Sequence, residues 1–358
     1  MKILLTAEFY LSGQSTHVLD LAKQLCNLGH SVKIVITRVY VTDFYTHANA
    51  YLQGVSVPCH IGTTKTELHR LIRRFQPDVL HCHSSTIFNL TRNLAIQTGI
   101  PYVITCHGLG LEHPRYRQAL ADAAQIIAIG KNTAETLLPL FSPKTHIIPN
   151  GVDTELFVPQ RKEKKLRVVY IGRIDSSKLA PIAALNEAVE TILGDNLVVV
   201  SNNPPNLPGL LHLPWQTDLP SLIGKTNIMA GSGRCAREGM ACENAVLLMN
   251  RAYDGLIRPA LTRKKNFDFS GNIGRYNLSK IESDLHMLIE QKKRLVTLQT
   301  FSRRWALLHL SSLEMARRTA NVYQQALAPS PDLVHKKIKL SRSQIQGWSL
   351  NIMDKKNR

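Results

Sequence analysis

The sequence has few acidic residues, few aromatic residues and no long apolar run. Its 358 residues include 26 Asp and Glu against 44 Lys and Arg, which gives a formal net charge of +18 with histidine neutral. No apolar run reaches the roughly 18 residues of a membrane-spanning helix, and Glu8 interrupts the first apolar segment too early for a secretory signal. We therefore expect a cytoplasmic protein whose membrane contact, where it occurs, is peripheral.

Two further classes of protein are disfavoured by what is missing. Aromatic residues make up only 6% of the chain, and no helix-turn-helix, zinc or RNP pattern appears, so we predict no nucleic-acid partner.

The six cysteines form no CxxC pair, which is typical of reduced thiols in the cytosol. In His81-Cys82-His83 only the two histidines share a strand face, so we predict no metal. The positive charge then indicates an anionic membrane surface or a phosphorylated small substrate.

The chain is long enough for two domains, and 44% of its residues are hydrophobic. Short β-branched runs alternate with helical patterns, which predicts an α/β fold with parallel sheets. The predicted strands cover residues 2–6, 31–37, 78–82, 102–106 and 125–129, then 166–171, 197–201, 227–230 and 245–249. We predict two Rossmann-like domains, residues 1–155 and 156–327, with an active site in the cleft between them. A long helical pattern over residues 303–327 precedes a basic tail, residues 328–358.

Arg173 and Lys178 follow the first predicted strand of the second domain. The carboxyl edge of a parallel sheet is where open α/β folds bind ligands, and an Arg with a Lys five residues on could hold a diphosphate between them. A solvated turn is the alternative interpretation.

A second candidate is the small-residue loop Gly231-Ser232-Gly233-Arg234, which joins a predicted strand to a helix. Backbone N–H groups at a helix start bind phosphate oxygens. Glu238, one turn into that helix, could accept hydrogen bonds from a ribose diol. A short Gly-Ser-Gly and a solvated helix glutamate are also common without a ligand.

The first domain offers two candidates at the same kind of edge. Gly13 and Gln14 follow a strand and open a helix, without the GxGxxG spacing of a dinucleotide site. His107 follows the strand at 102–106 and could donate a hydrogen bond or carry a proton. A single histidine is more often structural.

Together these motifs resemble glycosyltransferase family 4, the retaining nucleotide-sugar transferases of GT-B fold. The resemblance covers roughly residues 1–325 and includes Pro77-Asp78-Val79-Leu80-His81-Cys82-His83, Thr105-Cys106-His107-Gly108 and Ile148-Pro149-Asn150-Gly151-Val152-Asp153. It implies that Arg173 and Lys178 hold the donor diphosphate and stabilise the leaving group, that His107 acts with them in catalysis, and that Glu238 holds the ribose. It places the donor sugar near Gly13 and Gln14, and it implies no obligatory metal or other cofactor.

The sequence departs from the family at one position. The family commonly has two glutamates with seven residues between them, and Ala230 stands where the first, which contacts the donor sugar, is expected. The resemblance implies transfer of a sugar from a UDP- or GDP-linked donor to a cell-envelope glycan or a lipid-linked acceptor, in polysaccharide or glycolipid biosynthesis, with retention of configuration. A catalytically silent nucleotide-sugar or glycan-binding partner, and a sugar-nucleotide epimerase of similar fold, remain the alternatives.

A basic amphipathic segment over residues 67–75 suggests a contact with anionic lipid. Arg70, Arg73 and Arg74 lie beside an apolar stripe of helical period, and each arginine near such a surface contributes about 1 kcal/mol. The alternative is an ordinary helix that buries the same stripe against the sheet.

Overall fold

The computed structural model describes residues 1–10, 12–40, 44–52, 54–216 and 218–328. The strands are β1 Lys2–Phe9, β2 Ser31–Val39, β3 Cys59–Ile61, β4 Val79–Cys82, β5 Tyr102–Cys106, β6 Gln125–Ala128, β7 Thr145–Ile147, β8 Val168–Ile171, β9 Leu197–Val200, β10 Leu210–Leu213, β11 Ile228–Gly231, β12 Ala245–Met249 and β13 Tyr253–Leu256. The α-helices are α1 Gly13–Asn27, α2 Phe44–Tyr51, α3 Lys65–Phe75, α4 Phe88–Thr98, α5 Pro114–Asp122, α6 Lys131–Phe141, α7 Leu179–Leu193, α8 Leu219–Lys225, α9 Gly233–Ala241, α10 Pro259–Thr262, α11 Ser279–Glu290, α12 Lys292–His309 and α13 Ser312–Leu327.

The first sheet has seven strands in the order β3-β2-β1-β4-β5-β6-β7. All neighbouring strands run parallel. Strand β4 is buried throughout, because helices cover both faces of such a sheet and its strands read as continuous apolar runs. The strand order reverses between β1 and β4, so the loops that follow these two strands flank the usual ligand crevice.

The second sheet repeats this plan with six strands in the order β10-β9-β8-β11-β12-β13. Its strands are parallel except for β13, which runs antiparallel to β12. Here the order reverses between β8 and β11, so the loops after these strands form the second crevice. The predicted α/β class with two Rossmann-like domains is confirmed, as are all nine predicted strands.

The prediction of one continuous helical segment over residues 303–327 was wrong. Helix α12 ends at His309 and α13 begins at Ser312, after Ser311 has capped the new helix by accepting the Glu314 N–H at 3.4 Å. The two residues between the helices pair with the interdomain linker: Val152 N–H donates to the Leu310 carbonyl at 2.7 Å. Ser311-x-x-Glu314 is a helix-start signal that the periodicity concealed.

The break returns the end of the described chain to the first domain. Helix α13 packs against α1 and under β4, β5 and β6, and a 2.6 Å hydrogen bond joins Tyr323 to His81. The chain therefore crosses between the domains twice, near residues 150–157 and again near residues 309–312. Glycine is required at the first crossing, because a Cβ on Gly151 would lie 2.5 Å from Ser312 Cα.

The domain boundaries at 155 and 327 stay predictions, and α13, inside the second range, lies against the first sheet. The basic tail falls outside the described residues except for Ala328. Across the part of the chain that the structure describes, the helices are too short or too polar to cross a membrane.

Candidate active site

The carboxyl ends of the two sheets face each other across a cleft of about 600 Å³. Its walls contain nine of the ten residues predicted to bind the donor or to act in catalysis, with Gly231 the exception. The nine are Gly13, Gln14, His107, Arg173, Lys178, Ser232, Gly233, Arg234 and Glu238. Gly231 lies at the end of β11, where a Cβ would come within 2.8 Å of the Ile171 carbonyl. Its glycine thus allows two strands to approach closely, and the roles of all ten residues remain predictions.

The loop after β8 presents two cations to the cleft. Arg173 is exposed, and Lys178 Nζ donates to the Arg173 carbonyl at 2.8 Å, so the lysine head is held beside the arginine main chain. Asp175 orders the turn by accepting the Ser177 N–H at 3.0 Å and pairing with Lys178 at 3.1 Å. Hydrogen bonds from Ser177 and Lys178 lower the pKa of Asp175 to about 2. Both cations line the cleft, where they can bind an anionic group such as a phosphate.

The start of α9 forms a neighbouring part of the same wall. Ser232 is the N-cap residue, and no side chain caps this helix end. The Gly233 N–H donates to the Phe269 carbonyl at 2.6 Å, which brings the segment 268–270 against the helix start. The other N–H groups of the first helical turn have no intrahelical partners, so they can donate to phosphate oxygens.

Arg234 joins the two walls of the cleft. Its Nε donates to Glu238 Oε1 at 2.6 Å along the helix, and its Nη2 donates to Asp20 Oδ2 of α1 at 2.5 Å. All three side chains are buried, at 7%, 2% and 0% exposure for Arg234, Glu238 and Asp20. Burial is the main cause that raises the pKa of Glu238 to about 7, and the Asp20 charge adds to it. Glu238 therefore lies where a ribose could reach it, with one oxygen already held by Arg234.

Four histidines pack together where the first domain meets the cleft. His81 is satisfied, with Tyr323 at 2.6 Å and Thr105 at 2.7 Å from its two ring nitrogens. His17, His83 and His107 have ring nitrogens within 4.8 Å of one another, a spacing from which three imidazoles could bind one metal ion. Burial is the main cause that lowers the pKa of all four, that of His17 to about 3.

The hydrogen bonding of this cluster differs from that of a metal site. A metal-bound imidazole normally donates its second N–H to a carboxylate or carbonyl. His83 and His107 contact each other at 3.2 Å, but the other nitrogens of both rings and both nitrogens of His17 are buried without a hydrogen-bond partner. These rings lack the acceptors that orient metal ligands, and the absence of a metal stays a prediction; the neutral cluster offers donors and acceptors beside the cleft.

Gln14 connects the main cleft to a second cavity of about 410 Å³. Its amide donates to Ser84 Oγ at 2.7 Å and its carbonyl oxygen accepts the Tyr10 hydroxyl at 2.8 Å. The cavity is lined by Glu8, by two serines and a threonine, and by Tyr10 and Tyr40. Carboxylate, hydroxyl and aromatic groups together suit a carbohydrate.

Sequence reasoning missed four residues of the cleft region. Asp20 carries one end of the interdomain bridge, Tyr51 lies 5.5 Å from the Arg234 guanidinium, and Arg237 stacks 4.4 Å from the Phe269 ring. Asp20 had a detectable signal, a carboxylate within the apolar face of α1. Arg237 and Phe269 had none, because their segments meet only in the folded chain.

The three arginines predicted to contact lipid lie on α3. Arg70, Arg73 and Arg74 are exposed, while Leu68 and Phe75 are buried against the sheet. The apolar stripe is thus used within the domain, and only the arginine face is free for a surface contact.

Comparison with solved structures shows the fold. The chain superposes on a glycosyltransferase from Rickettsia africae with a TM-score of 0.69 at 15% identity, covering 92% of this chain and 99% of that one. HepE from Anabaena in complex with UDP-glucose gives 0.67 at 13% identity, covering 90% and 99%. UDP-GlcNAc 2-epimerase from Neisseria meningitidis gives 0.58 at 14% identity, covering 91% and 100%. The fold is that of the GT-B glycosyltransferases.

The first part of the sequence matches a family model. Residues 11–156 match the model of Glycosyltransferase Family 4, which confirms the resemblance drawn from the motifs. Residues 11–156 are thus similar to glycosyltransferase family 4, and the chain as a whole has the GT-B fold. No curated protein matches the chain.

Proposed function

We propose that the protein transfers a sugar from a UDP- or GDP-linked donor to a hydroxyl group of a glycan or lipid-linked acceptor, with retention of configuration. The observation that carries this proposal is the convergence of Arg173, Lys178, the free start of α9 and Glu238 on one cleft. Two cations and uncapped N–H groups suit a diphosphate, and a carboxylate beside them suits a ribose. HepE, a protein of the same fold, was crystallised with UDP-glucose.

The chemistry follows from where charge develops. The bond between the sugar C1 and the donor phosphate oxygen breaks, and its electron pair stays on the leaving diphosphate. Arg173 and Lys178 stabilise that charge, which is commonly the largest catalytic contribution. The acceptor oxygen bonds to C1 from the same face, and its proton passes to the departing phosphate oxygen. These charges are supplied by side chains, so the proposal requires no metal.

The acceptor is proposed to enter through the cavity that contains Glu8 and Tyr40. Gln14 lies between this cavity and the main cleft, so an acceptor hydroxyl held there would face the donor sugar beside His107. Among the described residues that line the main cleft, Glu238 and Asp268 are the carboxylates. Glu238 is paired with Arg234, so we assign no covalent nucleophile.

A double variant tests the assignment. Arg173→Ala with Lys178→Ala should lower turnover at least about 100-fold, since removal of one oxyanion donor alone costs 10²–10³. The assay is release of UDP or GDP together with transferred sugar, after a screen of donors by thermal stabilisation. Lys292→Ala with Lys293→Ala, two exposed cations at the start of α12, is the control. Full turnover in a folded Arg173, Lys178 variant would refute the proposal.

A catalytically silent binding protein is the second candidate. Ala230 stands where the family has a glutamate, so this position offers no carboxylate to the donor sugar, and the residue is fully buried in β11. Donor binding without release of nucleoside diphosphate, across acceptors of both kinds, would establish this function. An epimerase would instead convert the donor without any acceptor.

Peripheral attachment to the inner face of a membrane is proposed for the exposed face of α3. Sedimentation with vesicles containing anionic lipid should decrease when Arg70, Arg73 and Arg74 are all changed to Gln, and it should decrease with added salt. Equal sedimentation of both proteins would exclude this surface.

A further inference from the structure

Arg237 lines the cleft, and none of the described carboxylates pairs with it. It lies one turn into α9, its guanidinium stacks 4.4 Å from the Phe269 ring, and it lines the wall of the cleft. Its Nε atom is buried and has no hydrogen-bond partner. The residue as a whole is half-buried, but a charged group with buried atoms is normally paired, because desolvation costs several kcal/mol.

The neighbouring charges do not neutralise it. Arg234 holds both Asp20 and Glu238. Asp268 is occupied by the Asn132 amide and the Ser270 N–H, each at 2.8 Å. Throughout the described residues, no carboxylate forms an ion pair with Arg237. Burial, and then repulsion by Arg234, lower the pKa of Arg237 to about 10, so the side chain is still charged at neutral pH.

Its position differs from that of the proposed diphosphate site. Arg237 lies four positions after Gly233, which is about 6 Å along the helix, and its ring partner Phe269 lies in the segment 268–270. The side-chain amide of Asn132, in the first domain, donates to Asp268 of that segment. Lys131 Nζ, also in the first domain, donates to the nearby Lys265 carbonyl at 3.5 Å. The segment therefore lies against the first domain. Arg237 therefore stands where the two walls approach each other, beyond the helix end that suits phosphate.

We propose that Arg237 binds an anionic substituent, a carboxylate or a phosphate, on the carbohydrate that the cleft accepts. The guanidinium is planar and can hold either group with two parallel hydrogen bonds. The proposal rests on the proposed function and narrows its substrate class: either the transferred sugar or the acceptor carries a negative charge besides the donor diphosphate. Phe269 keeps the guanidinium plane in place for this contact.

Ligand pairs that differ only in charge provide the test. One set of titrations compares UDP-glucose with UDP-glucuronate, or GDP-mannose with GDP-mannuronate if the chain binds GDP, to detect a charged donor sugar. A second, on protein saturated with the nucleoside diphosphate that it binds, compares glucose with glucuronate and with glucose 6-phosphate, to detect a charged acceptor. Each is measured by calorimetry on the wild-type chain, on Arg237→Gln, and on Arg317→Gln, whose exposed side chain pairs with Glu314. Arg237→Lys retains the charge if the glutamine variant does not fold.

We expect one charged ligand to bind at least about tenfold more tightly than its neutral counterpart. Arg237→Gln should reduce that ratio to near one, Arg237→Lys should keep part of it, and Arg317→Gln should leave it unchanged. Equal binding of charged and neutral ligands by the wild type, or a ratio that survives in Arg237→Gln, would overturn the proposal. If Arg237→Gln weakened the binding of UDP itself as much as the binding of the charged ligand, the proposal would also be overturned, because Arg237 would then belong to the diphosphate site. If neither UDP nor GDP binds the wild type, the proposed function fails instead.

Discussion

Replacement of Arg234 by methionine should strongly destabilise the folded protein. Arg234 is the cation shared by two carboxylates, Asp20 at 0% and Glu238 at 2% side-chain exposure. Methionine fills similar space but leaves both carboxylates buried without a partner. Removal of one member of a buried ion pair costs about 3–5 kcal/mol. We expect the free energy of unfolding to fall by this amount. The fall is smaller at pH 7, because the raised pKa of Glu238 lets part of its carboxyl group bind a proton.

A second substitution should restore part of this stability. Asp20→Asn, added to Arg234→Met, removes one of the two unpaired carboxylates. It should restore about 2 kcal/mol of the free energy of unfolding, because the two sites interact directly. Urea unfolding followed by circular dichroism at pH 7 measures each value. Arg317→Met is the matched control, since Arg317 is exposed and 3.7 Å from Glu314, and it should change stability by less than about 0.5 kcal/mol. Equal effects of Arg234→Met and Arg317→Met, or further destabilisation by Asp20→Asn, would refute the reasoning.

Three further predictions follow from burial and close packing. The pKa of Glu238 is raised from 4.5 to about 7, so wild-type unfolding free energy should fall by up to about 3 kcal/mol as pH rises from 4.5 to 7. Denaturant titrations of Glu238→Gln should show a smaller fall over the same pH range. A variant whose unfolding free energy depends on pH as the wild type's does would contradict this prediction. Arg237→Met should raise the urea midpoint at pH 7 by the equivalent of about 1–3 kcal/mol, because the pKa of Arg237 falls from 12.5 to about 10; a lower midpoint would disprove it. Gly151→Ala should lower the thermal midpoint by several degrees because its Cβ would meet the Ser312 backbone, whereas Gly108→Ala has nothing within 4 Å and should not.

The sequence was sufficient to predict the elements that form both crevices. Buried parallel strands are continuous apolar runs, and each is followed by small or polar residues, as in Gly172-Arg173 and Ser232-Gly233. Because parallel strands end at one edge of the sheet, the order of the elements was enough to place these loops in a common cleft.

Pairings between distant segments could not be predicted in the same way. The Arg234 to Asp20 bridge joins residues 214 positions apart, and the stacking of Arg237 on Phe269 depends on how a loop folds back on α9. The short strands β3 and β7 have three residues each, too few for a periodic pattern. The break between α12 and α13 was missed because apolar residues continue through Leu310, although Ser311 and Glu314 marked a helix start.

The double crossing of the chain determines how the cleft can open. The Ser312 N–H donates to the Val152 carbonyl at 3.0 Å where the two crossings meet, so the two chain segments that join the domains lie side by side. We expect relative motion of the domains to be a rotation about an axis near that point, where Gly151 packs closely against Ser312. Since α13 moves with the first domain, such a rotation would leave the Tyr323 to His81 contact intact and would separate Arg234 from Asp20. Entry and exit of substrates would thus be coupled to the exposure of two buried charges.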